Sequence, residues 1–415
     1  MLPLAAIIEA DHAELVKIRN TVNRDEILTS NFSPHTFEPG GGIMTMLEYQ
    51  QEYWKKSIDY WQQTNPFFSS FSRAYRYLDT LYQLQNPRPK WSTPNNIIYE
   101  HQTLRLRHFS NQRHNDAKRP VLILPPQAGH HSNLADYSPS QSLVRVFHRY
   151  GYDVYVAHWV SATPEFKELG MNDIIRLTDE AVDQIRERTG IYKIHLVGQC
   201  QGGWQAGIYT SLYQDKISTL VTAAAPIDVQ AAPSAIVEDA GLPMEFFKFL
   251  VAANNGLMSG KYILWGFKNM QAEEHYVRKY FRLWQMIEND DEDGIKRFIH
   301  FENWYEYTQM LPGRFYLDII KNIFKENNLT KPGSFKLDGR PVDLRNINCP
   351  VIIMAGKKDH ITPPAQAFAL KKYISTPPQD VVEILTEGGH IGTLMGTEAL
   401  REDWTAVNEV LQLAV

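Results

Sequence analysis

Cysteine is nearly absent from this chain, which holds two among 415 residues, Cys200 and Cys349. Two cysteines in unlike contexts build no disulfide framework, and no CxxC spacing offers a zinc or redox site. A reducing compartment is therefore expected. An excess of basic residues is also missing. With 42 Lys and Arg against 47 Asp and Glu the net charge is −5, and the cations are scattered rather than gathered in a stripe. Such a surface gives no electrostatic footprint for nucleic acid. No apolar stretch reaches the roughly 18 residues of a membrane-spanning helix, so no transmembrane segment is expected. The first eight residues are apolar but lack a basic flank, and Glu9 and Asp11 follow directly. That argues against a secretory signal and for a cytoplasmic protein. Internal repeats and low-complexity tracts are missing as well.

What is present has ordinary globular proportions, 43% apolar and 21% charged residues, so a sizeable core is expected. Residues 1–95 read as a helical N-terminal region, with helix-like patterning and the aromatics Tyr49, Tyr53, Trp54, Tyr60 and Trp61. Gly40, Gly41 and Gly42 have neither a preceding strand nor a following GK[ST], so they read as a loop rather than a phosphate cradle. From about residue 96 short β-branched runs alternate with helical segments, the signature of a mostly parallel sheet with helices on both faces. The runs are 120–124, 153–158, 193–197, 219–224, 350–355 and 381–385. Residues 230–328 interrupt the alternation. They carry no strand run and are rich in helix formers and aromatics, among them Phe246, Phe247, Trp284 and Trp304. The expected organisation is therefore a catalytic α/β domain over 96–415 with a helical cap inserted at about 230–328. The acidic run 288–293 reads as a solvated loop and helix start.

The chemistry concentrates at three strand ends. The strand 193–197 runs into Gly198-Gln199-Cys200-Gln201-Gly202-Gly203, a nucleophile elbow of the G-x-S-x-G kind with cysteine in place of serine. Glycines two residues either side are a steric need, because strand and helix nearly touch at the turn. A buried core cysteine in a tight turn is the plain alternative. The strand 350–355 ends in Gly356-Lys357-Lys358-Asp359-His360, and the strand 381–385 in Glu387-Gly388-Gly389-His390. Nucleophile, acid and histidine in that order, each after a strand, are what an α/β-hydrolase fold requires. Cys200, Asp359 and His390 are thus the expected triad. His360 is a rival base and Asp228 a rival acid. Backbone N–H groups of Gln201 and of Gln127 or Ala128, in the loop after strand 120–124, are the expected oxyanion donors. His130 and His131 lack further ligands at metal spacing, so no metal is expected.

These stretches, together with Ala225-Pro226-Ile227-Asp228, Phe301-Glu302-Asn303-Trp304 and Val342-Asp343-Leu344-Arg345, make the chain resemble the polyhydroxyalkanoate synthase family, nearest in pattern to its class III catalytic subunits. The resemblance covers roughly residues 96–412. It implies that Cys200 accepts a hydroxyacyl group from a coenzyme A thioester, releases coenzyme A, and passes the acyl group to a growing polyester. It also implies no cofactor beyond the coenzyme A of the substrate, a cap that opens, a homodimer, and a place at polyhydroxyalkanoate granules. The loop 126–130 departs from the synthases and is more similar to that of intracellular polyhydroxyalkanoate depolymerases. A depolymerase or thioesterase with the same triad is the alternative expectation. The 95 N-terminal residues exceed what class III subunits carry, which leaves their second synthase subunit an open partner.

Overall fold

The computed structural model describes residues 66–111 and 118–413. The chain divides into two compact units, 1–72 and 73–415. Of the first, only the opening of the helix Pro66–Tyr82 is described. The expected helical aromatic region before residue 66 and the glycines 40–42 lie outside the described residues. One expectation needs correcting. Residues 83–95, read as part of a helical region, leave the helix at Tyr82 and run on without regular structure. Pro87, Pro89 and Pro94 explain this, since proline lacks the donor a helix needs and restrains the residue before it.

Eight strands form one sheet: β1 (Asn96–His101), β2 (Leu104–Phe109), β3 (Val121–Leu124), β4 (Val154–Trp159), β5 (Ile194–Gln199), β6 (Ile217–Ala223), β7 (Val351–Gly356) and β8 (Val381–Thr386). Their spatial order is β1-β2-β4-β3-β5-β6-β7-β8. β2 alone runs opposite to the other strands, antiparallel to both β1 and β4, and the pairs from β4 onward are parallel. This is the α/β-hydrolase fold. The β1–β2 hairpin carries no glycine or Asn-Gly turn, and its tight turn instead places Gln102 at φ 47°. That is why no strand before residue 120 stands out in the sequence.

The central strands β3 to β7 lack polar alternation because both faces are covered. Leu122 and Leu124 enter one core with Leu196 and Ile353, while Val121 and Ile123 enter the other with Val197 and Ile352. Successive side chains point to opposite faces, and burying each contributes about 1.5–3 kcal/mol, so a run of apolar residues is selected on both. The helices Met171–Thr189 and Gln201–Leu212 supply the first core with Ile174, Leu177, Trp204 and Ile208. The helices Leu143–Arg149 and Asp403–Leu413 supply the second with Phe147 and Trp404.

Between β6 and β7 lie the helices Ala235–Ala240, Met244–Ala252, Gly260–Met270, Lys279–Glu288, Glu292–Glu306 and Gly313–Ile319. The expectation of no strands over 230–328 is corrected by one small pairing, Leu257–Met258 antiparallel to Leu311–Pro312, too short to leave a period. A buried ion pair, Lys279 with Glu302, joins two of these helices. The acidic run is structural. Asp291 caps the helix Glu292–Glu306, its Oδ1 accepting from the Gly294 N–H at 2.8 Å, and Arg76 pairs with Asp290 and Glu292. Among the described residues no helix is long and apolar enough to cross a membrane.

Candidate active site

The turn after β5 is shaped by exclusion. A Cβ on Gly202 would sit 1.9 Å from the Leu124 carbonyl oxygen, one on Gly198 would sit 2.2 Å from the Gly202 oxygen, and one on Gly203 would meet Ala225 at 2.5 Å. Strand, turn and helix therefore close only with hydrogen in those places. The residue between them takes the strain: Cys200 adopts φ 52°, ψ −118°, which a non-glycine residue accepts only at a cost of about 1–3 kcal/mol and only when its surroundings enforce it. Its N–H donates to the Ala223 carbonyl at 2.7 Å, and the Gly203 N–H closes on its carbonyl at 2.8 Å. Gln201 opens the helix Gln201–Leu212, where the first N–H groups have no carbonyl a turn behind to accept them. Gly202→Ala is expected to lower stability by about 3 kcal/mol, because its obstacle is backbone that cannot move aside; a denaturant titration matching the unsubstituted protein would contradict this.

Asp359 follows β7 and His390 opens the helix His390–Met395 after β8. Gly356 at the end of β7 lets the two loops pass, since a Cβ there would lie 2.5 Å from Thr393 Oγ1 and 2.8 Å from the Gly388 oxygen. Asp359 Oδ1 accepts from the N–H groups of Ile361 at 2.9 Å and Thr362 at 2.8 Å. Its Oδ2 lies 2.8 Å from His390 Nδ1. The carboxylate is thus clamped on one oxygen and aimed with the other. Cys200 and His390 line the same cavity, close enough for the thiol to act on the imidazole. Burial is the largest influence on the imidazole and opposes its charging, but the adjacent Cys200 and Asp359 outweigh it and hold the pKa well above the ordinary value.

A sign follows from that shift. A histidine whose folded-state pKa is raised contributes stability that is fully present below the unfolded value, about 6.5, and is lost as pH rises through the folded value. Cys200→Ala removes one raising partner, so the His390 ring is expected to titrate lower in that variant, read by NMR; an unchanged titration would mean the thiol does not couple to the imidazole.

Cys200, His390, Gln201, Gln127 and Ala128 all line one cavity of about 950 Å³. The structure therefore brings together the expected nucleophile, base and oxyanion-loop residues, with Asp359 hydrogen-bonded to His390. The rivals fall outside. His360, half-buried, and Asp228 are not among the lining residues. Asp228 instead binds the Asn327 amide at 2.8 Å and the Tyr373 hydroxyl at 2.7 Å. Cys349 is buried, and burial pushes its thiol up to about 11.

The cavity roof comes from the segment between β6 and β7, including Phe246, Trp265 and Trp304. Trp304 is buried, stacks on His130 at 5.2 Å, and donates its indole N–H to Asn133 Oδ1 at 3.0 Å. Burial pushes His130 down to about 4, so a neutral ring packs there. Trp284 has a different task, edge-on to Tyr77 at 5.9 Å. Sequence reasoning missed Asn133 and Thr362. The D-x-x-T spacing of Asp359 and Thr362 is an Asx-turn signal that could have found the second; nothing local marks Asn133.

Residues 94–399 match the family described as "Protein of unknown function (DUF3141)". Among curated proteins the chain is similar to the poly(3-hydroxyalkanoate) polymerase subunit PhaC of Haloferax mediterranei, 27% identical over 76% of this chain and 63% of that one. It is similar to the subunit of the same name from Allochromatium vinosum, 28% identical over 77% of this chain and 88% of the other. Among solved structures it is similar to the monoacylglycerol lipase of Paleococcus ferrophilus, at 18% identity and a TM-score of 0.47 over 72% of this chain and 97% of the lipase.

Proposed function

Since the chain belongs to the family described as a protein of unknown function (DUF3141), we propose its reaction from the site: Cys200-dependent acyl transfer from a hydroxyacyl-CoA thioester to a polyester chain. The observation that carries this reading is the Asp359–His390 hydrogen bond, with His390 and Cys200, the latter at the start of a helix, lining one large apolar cavity. The curated relatives named poly(3-hydroxyalkanoate) polymerase supply the substrate class.

The Cys200 thiolate attacks the thioester carbonyl carbon while the proton rests on His390. The carbonyl oxygen becomes an oxyanion, facing the N–H of Gln201 and that of Gln127 or Ala128. The C–S bond to coenzyme A breaks, and the leaving thiolate takes the proton from His390. In the second half the hydroxyl of another acyl unit loses its proton to His390 and attacks the Cys200 thioester, forming an ester and freeing the thiol. Protons and acyl groups balance without another co-reactant. Water in place of that hydroxyl gives hydrolysis, and exclusion of water by the roof decides between them.

The test is incubation with 3-hydroxybutyryl-CoA, following free coenzyme A and polymer together. Both rising supports transfer; coenzyme A with free 3-hydroxybutyrate and no polymer assigns the hydrolase alternative; neither rising overturns the reading. Trp304→Phe, which keeps the ring but removes the bond to Asn133, is expected to raise free acid relative to polymer severalfold by loosening the roof. An unchanged ratio would free Trp304 of that role.

A further inference from the structure

An oxyanion hole works only when its donors already point at the place where charge will develop, so a backbone donor on a loop needs that loop held still. The loop after β3 carries the candidate donors Gln127 N–H and Ala128 N–H, and its carbonyl groups are held from outside. Trp159, at the end of β4, donates its indole N–H to the Pro125 oxygen at 3.2 Å. Gln309 donates its backbone N–H to the Gly129 oxygen at 2.7 Å. In the orientation that satisfies its side-chain amide, Gln309 also donates to the oxygens of His130 and Trp159, each at 3.2 Å.

Gln309 is therefore the hub of a clamp. It lies where the segment between β6 and β7 turns back, after the helix Glu292–Glu306 and just before Leu311–Pro312, and it is buried. The approach is backbone to backbone. A Cβ on Gly260 would sit 2.3 Å from the Gln309 oxygen, and one on Gly129 would sit 3.2 Å from the Gly260 Cα. A peptide unit is planar, so fixing a carbonyl also fixes the N–H of the next residue. With anchors at Pro125, Gly129 and His130, only residues 126–128 lie between them, and the ring of Pro126 locks one more torsion. The other two residues of that span are the candidate donors.

We propose that Gln309 is a positioning residue for acyl transfer: its hydrogen bonds, with that from Trp159, hold the loop 125–130 so that the N–H of Gln127 or Ala128 meets the developing oxyanion. Gln309 is not among the residues lining the cavity, so its effect reaches the chemistry through the loop. It also belongs to the segment that bears the roof. A roof displaced at residue 309 takes the donors out of register, and the hole is complete only when the roof is closed. This rests on acyl transfer at Cys200 and adds which residue outside the cavity sets its rate.

The experiment compares two reactions of the same thiol in the unsubstituted protein, Gln309→Leu and Trp159→Phe. Acylation by 4-nitrophenyl butyrate, read as the burst of 4-nitrophenolate, passes through an oxyanion. Exchange with dipyridyl disulfide, read as released pyridinethione and located at Cys200 by mass spectrometry, needs the thiolate but develops no oxyanion. Each variant is expected to acylate about tenfold slower or worse, because a displacement of about 1 Å costs up to about a hundredfold, with exchange and the half-saturating ester concentration changed by no more than about twofold. If Gln309→Leu does not fold, Trp159→Phe, which loosens the other end of the same loop, decides in the same way. Acylation by Gln309→Leu within about twofold of the unsubstituted rate overturns the inference. So does an equal fall in both reactions, the mark of a merely structural residue. No burst from the unsubstituted protein overturns acyl transfer at Cys200 and this inference with it. A burst that responds to the variants as expected, beside no coenzyme A release from 3-hydroxybutyryl-CoA, supports the clamp and overturns the substrate class alone.

Discussion

Cys200→Ala is expected to lower thioester cleavage by about 10⁴-fold or more while the protein stays folded. Without Sγ no covalent acyl intermediate can form, and the remaining donors only bind. The fold should tolerate the change because alanine meets the same strain as cysteine at φ 52°, ψ −118°: both carry a Cβ, and Cys200 is only partly buried. Cys200→Gly should be equally inactive but more stable by about 1 kcal/mol, since glycine accepts that backbone freely. Together the pair would show strain held for the sake of the thiol. The measurement is release of coenzyme A from 3-hydroxybutyryl-CoA beside a denaturant titration. Full activity of Cys200→Ala would end the mechanism. Cys349→Ala is the control: its thiol is buried, held protonated by burial, and absent from the cavity lining, so activity should persist with a packing cost only.

His390→Ala and Asp359→Asn are expected to slow acylation by about 10³- to 10⁴-fold, with the histidine change at least as severe. Loss of His390 removes the group that exchanges the proton. The Asp359 change acts through a tautomer. Two backbone N–H groups point at Oδ1, so asparagine must place its carbonyl there and turn its NH₂ towards His390 Nδ1. That makes Nδ1 the acceptor and puts the ring proton on Nε2, the nitrogen facing Cys200, where it can no longer accept one. Single-turnover acylation at several pH values reads both. His360→Ala should be mild, because His360 is off the cavity; if it matched His390→Ala the base would have to be reassigned.

The elbow and the two later strand ends were legible because each carries its constraint locally. Gly198, Gly202 and Gly203 are there for contacts within a few residues or with the adjacent strand, and a six-residue motif records them. Strands β3 to β7 were legible because burial on both faces writes itself as largely apolar runs; β8 is half-exposed at the sheet edge but keeps the β-branched and apolar residues Val381, Val382, Ile384 and Leu385. The hairpin β1–β2 was not, since its outer strand is half-exposed and its turn residue Gln102 carries no turn signature. The short pairing of Leu257–Met258 with Leu311–Pro312 was equally silent, as it joins residues more than fifty positions apart.

By itself the sequence determined the sheet order's raw material, the strained turn, and which cysteine, carboxylate and histidine stand at strand ends, because those follow from side-chain volume, backbone freedom and period. Tertiary structure alone decided the rest. It paired Asp359 with His390 rather than with the adjacent His360, and turned Asp228 to Asn327 and Tyr373. It set Trp304 on His130 and Asn133 to close the roof. Those outcomes depend on which distant surfaces meet, and a hydrogen bond present or missing between residues far apart in the chain leaves no trace in either one's local pattern.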